Sequence, residues 1–396
     1  MLSMTPNRAA AAAAAAMLLM FAIGSLYAWS VFVLPLERNL GLSRSAISSI
    51  FSLAIVCFTL FMLIGSRLYR YAGAPTIALL TCLAAAVGLV LAGWDLSFYA
   101  IALGYGGLFG TANGLAYGLS IQVVQNAFSA RRGLVTGLVV ASYTLGSAIF
   151  APLFSAGIEV LGIGTTFVVT GAFMALVGIA AFVLLRVSRV DIQPPSPIPS
   201  HRPVVQSKGL FWALWFGFFF GAFAGVMVLG HAAAIVGSFG ATPEQIVFGT
   251  SMVGIGNGIG RLGGGWFSDR VAPRRILTTM LLLAGLALLV VATVPAVAVS
   301  IVALTIVGVG YGTMAGAYPV VISQIYGVAN VSKIYGRVFI AWGLAGVAGP
   351  ALGGLLFDQD GDYFMAIVLG AAAALCSGLI CYTLPASRAA PGAALQ

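Results

Sequence analysis

Charge is the scarcest property of this sequence. Only 7% of its 396 residues are Asp, Glu, Lys or Arg, whereas 61% are hydrophobic, and the mean hydropathy is +1.09. A soluble globular chain carries about 25% charged residues, so this chain has too few to cover a surface that faces water. The low charge excludes a water-soluble protein and predicts that lipid surrounds most of the chain.

Residues that build catalytic or metal sites are also scarce. The chain has two histidines and four cysteines, and neither type follows the spacing of a metal site. An intramembrane enzyme needs a nucleophile–base pair or a metal cluster, and the apolar stretches contain no such pair. We therefore predict a protein that is not an enzyme and that uses no cofactor or metal.

Long apolar runs dominate what is present, and a helix of about 20 such residues crosses a bilayer. Strands are disfavoured because the runs are continuous rather than alternating. The first run continues to Pro35 without a cleavage site, so we expect it to be a retained helix rather than a signal peptide. The predicted transmembrane helices lie near 10–35, 45–69, 75–93, 97–124, 133–158, 163–187, 210–237, 244–267, 274–294, 297–325, 333–357 and 363–385.

The charges that do occur are distributed unevenly between the two sides of the predicted membrane. Most Lys and Arg residues fall in connections on the side of the N-terminus, and most Asp and Glu residues fall in the others. By the positive-inside rule, both termini are predicted to be cytoplasmic in a multi-pass protein of the inner (plasma) membrane. The net charge of +9 is therefore interpreted as an orientation signal and not as a nucleic-acid-binding surface.

One polar, proline-rich stretch divides the chain. Residues 189–209 are typical of a cytoplasmic linker between an N-terminal six-helix bundle, 1–188, and a C-terminal six-helix bundle, 210–396. The halves share short motifs about 200 residues apart; for example, Gly104-Tyr105-Gly106 recurs as Gly310-Tyr311-Gly312. An even number of spans returns the chain to the side on which it began, so both halves have the same orientation in the membrane. The sequence therefore predicts two parallel repeats with a site between them near the middle of the bilayer.

One basic residue lies where a charge is costly. Arg261 precedes Asp269 by eight residues in the eighth predicted helix, which places it roughly 12 Å from the membrane border. Apart from Glu244 at the very start of the eighth predicted helix, no Asp or Glu lies in any predicted span, so this guanidinium has no counter-ion within the membrane. We predict that the cargo supplies it, most simply as a carboxylate held by two parallel hydrogen bonds. The alternative is an arginine that snorkels to the headgroups.

Other polar side chains in the spans are candidates to line the same path. Asn257 lies one turn before Arg261 and is positioned to orient it or the ligand. His231 is the only histidine in a predicted span; it either titrates during the transport cycle or is a satisfied core residue. The buried tyrosine hydroxyls need partners, and structural roles are the alternative for each; these tyrosines are Tyr27, Tyr117, Tyr143, Tyr311 and Tyr318.

Several segments resemble the major facilitator superfamily, and the resemblance spans the whole chain. Gly265-x-x-x-Asp269-Arg270, followed by Arg274, is similar to the cytoplasmic loop signature of that family. The counterpart in the first half keeps Arg70 but lacks the acidic residue. The resemblance implies that these loop residues control conformation, and the gating residues so predicted are Asp269, Arg270, Arg274, Arg70 and Arg131.

Within the superfamily, the chain is similar to the oxalate/formate antiporter group and to monocarboxylate porters. The segments that carry this likeness are 27–32 (YAWSVF), 131–137 (RRGLVTG) and 260–261 (GR) with 265–266 (GW). The resemblance implies that Arg261 is the substrate-carboxylate ligand and that Tyr27 and Trp29 line the cavity, with Tyr117 and Tyr318 carried over as further site residues.

The chain departs from the oxalate exchangers at one position. Those proteins have a second cation, a lysine in helix 11, where this sequence has Trp342. One buried cation balances one negative charge, so we predict a monocarboxylate of the lactate, pyruvate or formate type. A dicarboxylate exchanger of the oxalate type, an efflux porter for amphipathic compounds and a receptor of the same fold are the alternatives.

The predicted function is secondary active transport by alternating access, in which the two halves rock about the site. We expect a monomer in lipid whose partners are a small carboxylate and either a proton or a counter-anion. Which of these two drives transport, and in which direction, is left open by the residues.

Overall fold

The computed structural model describes residues 5–69, 71–128, 132–190, 192, 208–268, 270–326 and 331–385. The predicted gating residues Arg70, Arg131 and Asp269 lie outside these ranges, as does most of the predicted linker. Their roles stay predictions.

Within the described residues the chain forms twelve successive helical segments and no strand. Helix α1 consists of Pro6–Ile23, the 3-10 turn Gly24–Ala28 and Ser30–Leu40; α4 consists of Phe98–Ile101, the π-helical Ala102–Phe109 and Gly110–Ala127. The others are α2 (Arg44–Leu68), α3 (Ala74–Trp94), α5 (Arg132–Leu161), α6 (Ile163–Ser188), α7 (Lys208–Ser238), α8 (Pro243–Ser268), α9 (Pro273–Thr293), α10 (Val297–Tyr326), α11 (Val331–Asp360) and α12 (Phe364–Tyr382).

Ten of the helices in the described residues are long and apolar enough to cross a membrane by length and composition. The other two are α4, which the π-helical segment interrupts, and α8, which carries Asn257 and Arg261 among many glycines. The prediction of an all-α membrane protein is confirmed. The two helices that fall short of the apolar criterion are interrupted or polar, and α8 carries the charge that the sequence singled out.

The break in α1 was not predicted, and it coincides with a close contact between helices. A Cβ at Gly24 would overlap the main-chain carbonyl of Tyr143 in α5, so only glycine permits the two helices to approach this closely. The tighter 3-10 winding follows at once and includes Tyr27. The break therefore helps to set the direction in which that tyrosine side chain leaves α1.

The two ends of the helical bundle are named by what they carry. The linker end holds the end of α6 and the start of α7, and the Arg44 end holds the connections α1–α2, α7–α8 and α11–α12. Corresponding helices pack together in the two halves of the chain: α3 against α6, and α9 against α12. The predicted boundaries at residues 188 and 210 stay predictions.

Contacts between the halves join α2 to α11 and α5 to α8. At the Arg44 end, the carboxylate of Asp358 accepts hydrogen bonds from the backbone amides of Arg44 and Ser45, both at 2.9 Å. Asp358 thus caps the first turn of α2 with an anion, where the helix dipole favours negative charge. Two turns further along α2, Ser52 donates to the carbonyl of Val347 at 3.1 Å. These bonds hold the halves together on the Arg44 side.

Helix α8 is held by a close approach to α10. A Cβ at Gly260 would overlap the carbonyl oxygen of Val309 and lie 2.8 Å from the amide nitrogen of Thr313. A Cβ at Gly312 would overlap the carbonyl oxygen of Asn257. Van der Waals packing of small residues is the main source of helix association in lipid, so these glycines fix the position of α8.

We expect Gly260→Ala to lower the melting temperature of the detergent-solubilised protein, because the new methyl group meets the backbone of α10 rather than a movable side chain. Overpacking of this kind typically costs about 1–3 kcal/mol. Gly263→Ala is the matched control, since its Cβ would lie 3.8 Å from the Phe267 ring, an ordinary contact. Equal melting temperatures for the two variants would contradict the close-packing account.

Candidate functional site

A cavity lies between the halves, near the middle of the bundle. Helices α1, α2 and α4 line it from one side, and α7, α8, α10 and α11 line it from the other. Most of the lining side chains are aromatic, and Arg261 is the single charged one. The lining residues are Tyr27, Phe58, Tyr117, Phe218, Arg261, Tyr311, Met314, Ala315, Tyr335, Phe339 and Trp342.

Arg261 is 7% exposed and has only neutral partners among the described residues. Its Nε donates to Oδ1 of Asn257 at 3.0 Å, one helical turn away. Its Nη1 donates to the hydroxyl of Tyr117 at 3.3 Å, and the ring centroid of Tyr143 lies 5.9 Å from its guanidinium carbon. The described residues therefore leave the positive charge of Arg261 without a counter-ion.

These two hydrogen bonds also orient the guanidinium. Asn257 holds the Nε edge from the same helix, and Tyr117 reaches across from α4 in the other half of the chain. A guanidinium has five N–H donors in a rigid fork, and two are used here. The remaining donors suit an anion with two coplanar oxygens, which is the geometry of a carboxylate.

Tyr311 was among the buried tyrosines that the sequence analysis named, but it was not given a role in the site. Its hydroxyl lies 2.9 Å from the hydroxyl of Tyr27 and accepts a hydrogen bond from Nε1 of Trp342 at 2.6 Å. Tyr311 thus joins α1 of the first half to α10 and α11 of the second at the cavity wall. Its place in the repeated Gly-Tyr-Gly motif was the signal that could have identified it.

The structure corrects two of the predicted cavity residues. Trp29 is fully buried away from the cavity, with its ring 4.6 Å from that of Tyr105, because two residues along α1 from Tyr27 a side chain points to another side. Tyr318 packs within the second half, with its ring 4.5 Å from that of Phe218 and its hydroxyl 3.6 Å from Sγ of Cys381. Neither of them lines the cavity in the described part of the chain.

The other predicted residues lie towards the ends of the bundle. His231 is fully buried near the Arg44 end and does not line the cavity. Near the linker end, the Arg270 guanidinium stacks 3.7 Å above the Trp266 ring, and Arg274 donates to the carbonyl of Leu384 at 2.9 Å. The gating roles of Arg270 and Arg274 stay predictions. Among the described residues, no group of three or more His, Cys, Asp or Glu could hold a metal ion.

We expect Tyr311→Phe to lower the melting temperature, because it leaves the buried N–H of Trp342 without its acceptor. An unsatisfied buried polar group costs about 1–3 kcal/mol. Tyr335→Phe is the control, since Tyr335 lines the same cavity and its hydroxyl has no hydrogen bond within the described ranges. A Tyr311→Phe protein as stable as Tyr335→Phe would show that the hydrogen bond between Trp342 and Tyr311 contributes little.

Comparisons with known proteins agree on one family. The sequence model of the Major Facilitator Superfamily matches residues 10–234 and 214–395. The Oxalate:formate antiporter of Oxalobacter formigenes is 26% identical over 355 residues, covering 85% of this chain and 82% of that protein. Monocarboxylate transporter 13 of Rattus norvegicus is 26% identical over 373 residues, covering 91% of this chain and 85% of the relative.

The fold has solved counterparts as well. A bacterial homolog of the human lysosomal transporter Spinster, in an inward-facing and unoccupied conformation, superposes with a TM-score of 0.73 at 16% sequence identity. The match covers 98% of this chain and 100% of that structure, so the arrangement of the helices is shared along the whole chain.

Proposed function

This chain belongs to the Major Facilitator Superfamily and is a membrane transporter, and from that premise we propose that it carries a small monocarboxylate by alternating access, with Arg261 as the carboxylate ligand.

The observation that carries the proposal is the buried guanidinium of Arg261 with neutral partners only. A buried charge whose partner is missing is strongly destabilising, and ionisable residues inside a membrane are usually functional. A bound carboxylate removes this cost by accepting two charge-assisted hydrogen bonds, which are about twice as strong as neutral ones. Occupancy of the cavity by an anion is therefore favoured over occupancy by a neutral molecule.

The charge count of the cavity favours a monocarboxylate. Arg261 is the single charged lining residue among those described, and Trp342 occupies the position where oxalate exchangers are expected to have a second cation. A dianion would keep one negative charge uncompensated in a site of low dielectric. The aromatic walls formed by Phe58, Phe339 and Trp342 suit the apolar part of a small organic acid.

The relatives support this class of substrate, since their names include an oxalate:formate antiporter and monocarboxylate transporters. The first name also keeps a dicarboxylate exchanger as the second candidate. An efflux porter for amphipathic compounds would fit the aromatic lining, but it gives the buried charge of Arg261 no role.

The cycle follows from where the halves touch. The bonds between Asp358 and the start of α2 hold the Arg44 end together, and the Tyr27–Tyr311 hydrogen bond crosses between the halves at the cavity. Transport requires both to separate while the linker end closes. On the predicted topology, the linker end faces the cytoplasm of a protein in the inner membrane.

Arg261→Lys is expected to lower carboxylate uptake by about tenfold or more in proteoliposomes, because an ammonium is a point charge without the planar fork. Uptake of labelled lactate, pyruvate, formate and oxalate measures both rate and preference. Arg186→Lys is the control, since Arg186 lies exposed at the end of α6. Near-normal uptake by Arg261→Ala would defeat the anchor role, and a strong preference for oxalate would favour the second candidate.

Trp342→Lys is expected to shift the preference towards oxalate, because it places a second cation in the cavity wall to balance the second carboxylate. The measurement is the ratio of oxalate uptake to formate uptake in the same proteoliposomes. Trp342→Phe is the control for loss of the indole and its hydrogen bond to Tyr311. An unchanged ratio in Trp342→Lys would contradict the charge-count argument.

A further inference from the structure

A second polar cluster lies outside the cavity, at the Arg44 end, around the fully buried His231 of α7. Its imidazole Nε2 lies 2.9 Å from the carbonyl oxygen of Pro350, and its Nδ1 lies 3.0 Å from the hydroxyl of Tyr363. The hydroxyl of Ser48 approaches Nε2 at 3.4 Å. A Cβ at Gly353 would come 3.0 Å from this ring, so α11 leaves just enough room for it.

The partners of His231 determine where its single proton lies. A carbonyl oxygen can only accept, so Nε2 carries the hydrogen and donates it to Pro350. Arg44 Nη1 donates to the Tyr363 oxygen at 3.1 Å, and a guanidinium can only donate. The proton of Tyr363 is therefore free to point at Nδ1, which accepts it. The chain of hydrogen bonds runs from Arg44 through Tyr363 and His231 to Pro350, and it holds a neutral imidazole.

The charges around this chain do not favour a second proton on the ring. Arg44 presents its positive charge through Tyr363, and its own counter-ion is Glu37 of α1, with Nη2 and Oε2 2.5 Å apart. The Asp358 carboxylate is engaged by the two backbone amides at the start of α2. Each carboxylate near His231 thus already has a partner. A protonated imidazole here would face Arg44 across one hydroxyl group.

The cluster is built from both halves of the chain. Glu37, Arg44 and Ser48 belong to the first half, and His231 and Tyr363 belong to the second. Opening of the Arg44 end, which alternating access requires, separates Arg44 from Tyr363 and admits water to the ring. An imidazole in water is half-protonated near pH 6.5. Protonation of His231 is therefore linked to the separated arrangement of the halves.

We propose that His231 is a proton-binding gate: it is neutral while the Arg44 end is closed and takes up a proton when that end opens. The proton comes from the water on the Arg44 side and returns there on closing, so the step needs no other reactant. The inference rests on the proposed function only in requiring that the Arg44 end opens. Protonation stabilises the open form, so the closed form is favoured above about pH 6.5 and loses its advantage as the pH falls below it. On the predicted topology, acid outside the cell opens the outer side.

The distance between the halves at the Arg44 end tests this gate directly. Spin labels on Asn39→Cys and Gln359→Cys report it, because both residues are exposed and lie on α1 and α11. The four native cysteines are first replaced by serine or alanine. Pulsed electron–electron double resonance then measures the distance between the two labels on the full chain without substrate. If the open form alone binds one proton, the ratio of long to short distances should rise about tenfold between pH 8.0 and pH 5.5.

Two matched variants assign the response to one ring. His231→Gln keeps an N–H to donate to Pro350 but cannot take up a proton, so its distances should not change over this pH range. His201→Gln replaces the only other histidine and should keep the full response. An unchanged distance distribution in the parent protein overturns the proposal. A full response in His231→Gln also overturns it and assigns the effect to the carboxylates of Glu37 and Asp358.

Tyr363→Phe gives a second test should His231→Gln fail to fold. It keeps the imidazole but removes the hydroxyl that donates to Nδ1, so the neutral ring loses a partner in the closed form and opening should begin at a higher pH than in the parent protein. An unchanged midpoint contradicts the proposal. These distance measurements need no substrate, so a negative result does not bear on the role of Arg261. A negative result in the Arg261 uptake test likewise leaves the distance measurement valid.

Discussion

A buried positive charge without a negative partner is the constraint on which the central site depends. Arg261 is held in place by Asn257 on its own helix and by Tyr117 from the other half, both neutral. The backbone around it is held as well, since a Cβ at Gly316 of α10 would lie 2.6 Å from the carbonyl oxygen of Arg261. The glycines of α8 and α10 therefore fix the depth and direction of the charge, and the guanidinium is held in place without a ligand.

The regions that join the halves separate two tasks. In the cavity, Arg261 donates to Tyr117 across the halves, and Tyr27 and Tyr311 join the halves through their hydroxyl groups. At the Arg44 end, Asp358 caps α2 and Arg44 donates a hydrogen bond to the hydroxyl of Tyr363, and both contacts join the halves away from the cavity. The cavity and the Arg44 end thus join the halves through different side chains. Each can be altered by a substitution that leaves the other in place.

Two residues that the sequence analysis placed at the site show that a sequence pattern does not determine which side of a helix faces the cavity. Trp29 and Tyr318 were selected because they fall in segments that resemble a family of transporters, but such a resemblance does not say on which side of a helix a residue lies. In α1 that side is altered by the 3-10 turn Gly24–Ala28, which begins where Gly24 meets the Tyr143 carbonyl. The π-helical segment of α4 also includes a close contact, since a Cβ at Gly104 would overlap the carbonyl oxygen of Gly88.

Composition and spacing by themselves determined that the chain is an all-helical membrane protein and that its second half contains one charge with no partner in the spans. Both conclusions follow from the cost of placing polar groups in lipid, which acts on each residue separately and can be summed along the chain. Only the tertiary structure decided that Tyr117 is the partner from the other half, that Tyr311 joins Tyr27 to Trp342, and that His231 lies at the closed end rather than in the cavity. These facts depend on contacts between helices far apart in the chain, where main-chain approach at glycine sets the rotation and depth of each helix, and a linear sequence does not contain those distances.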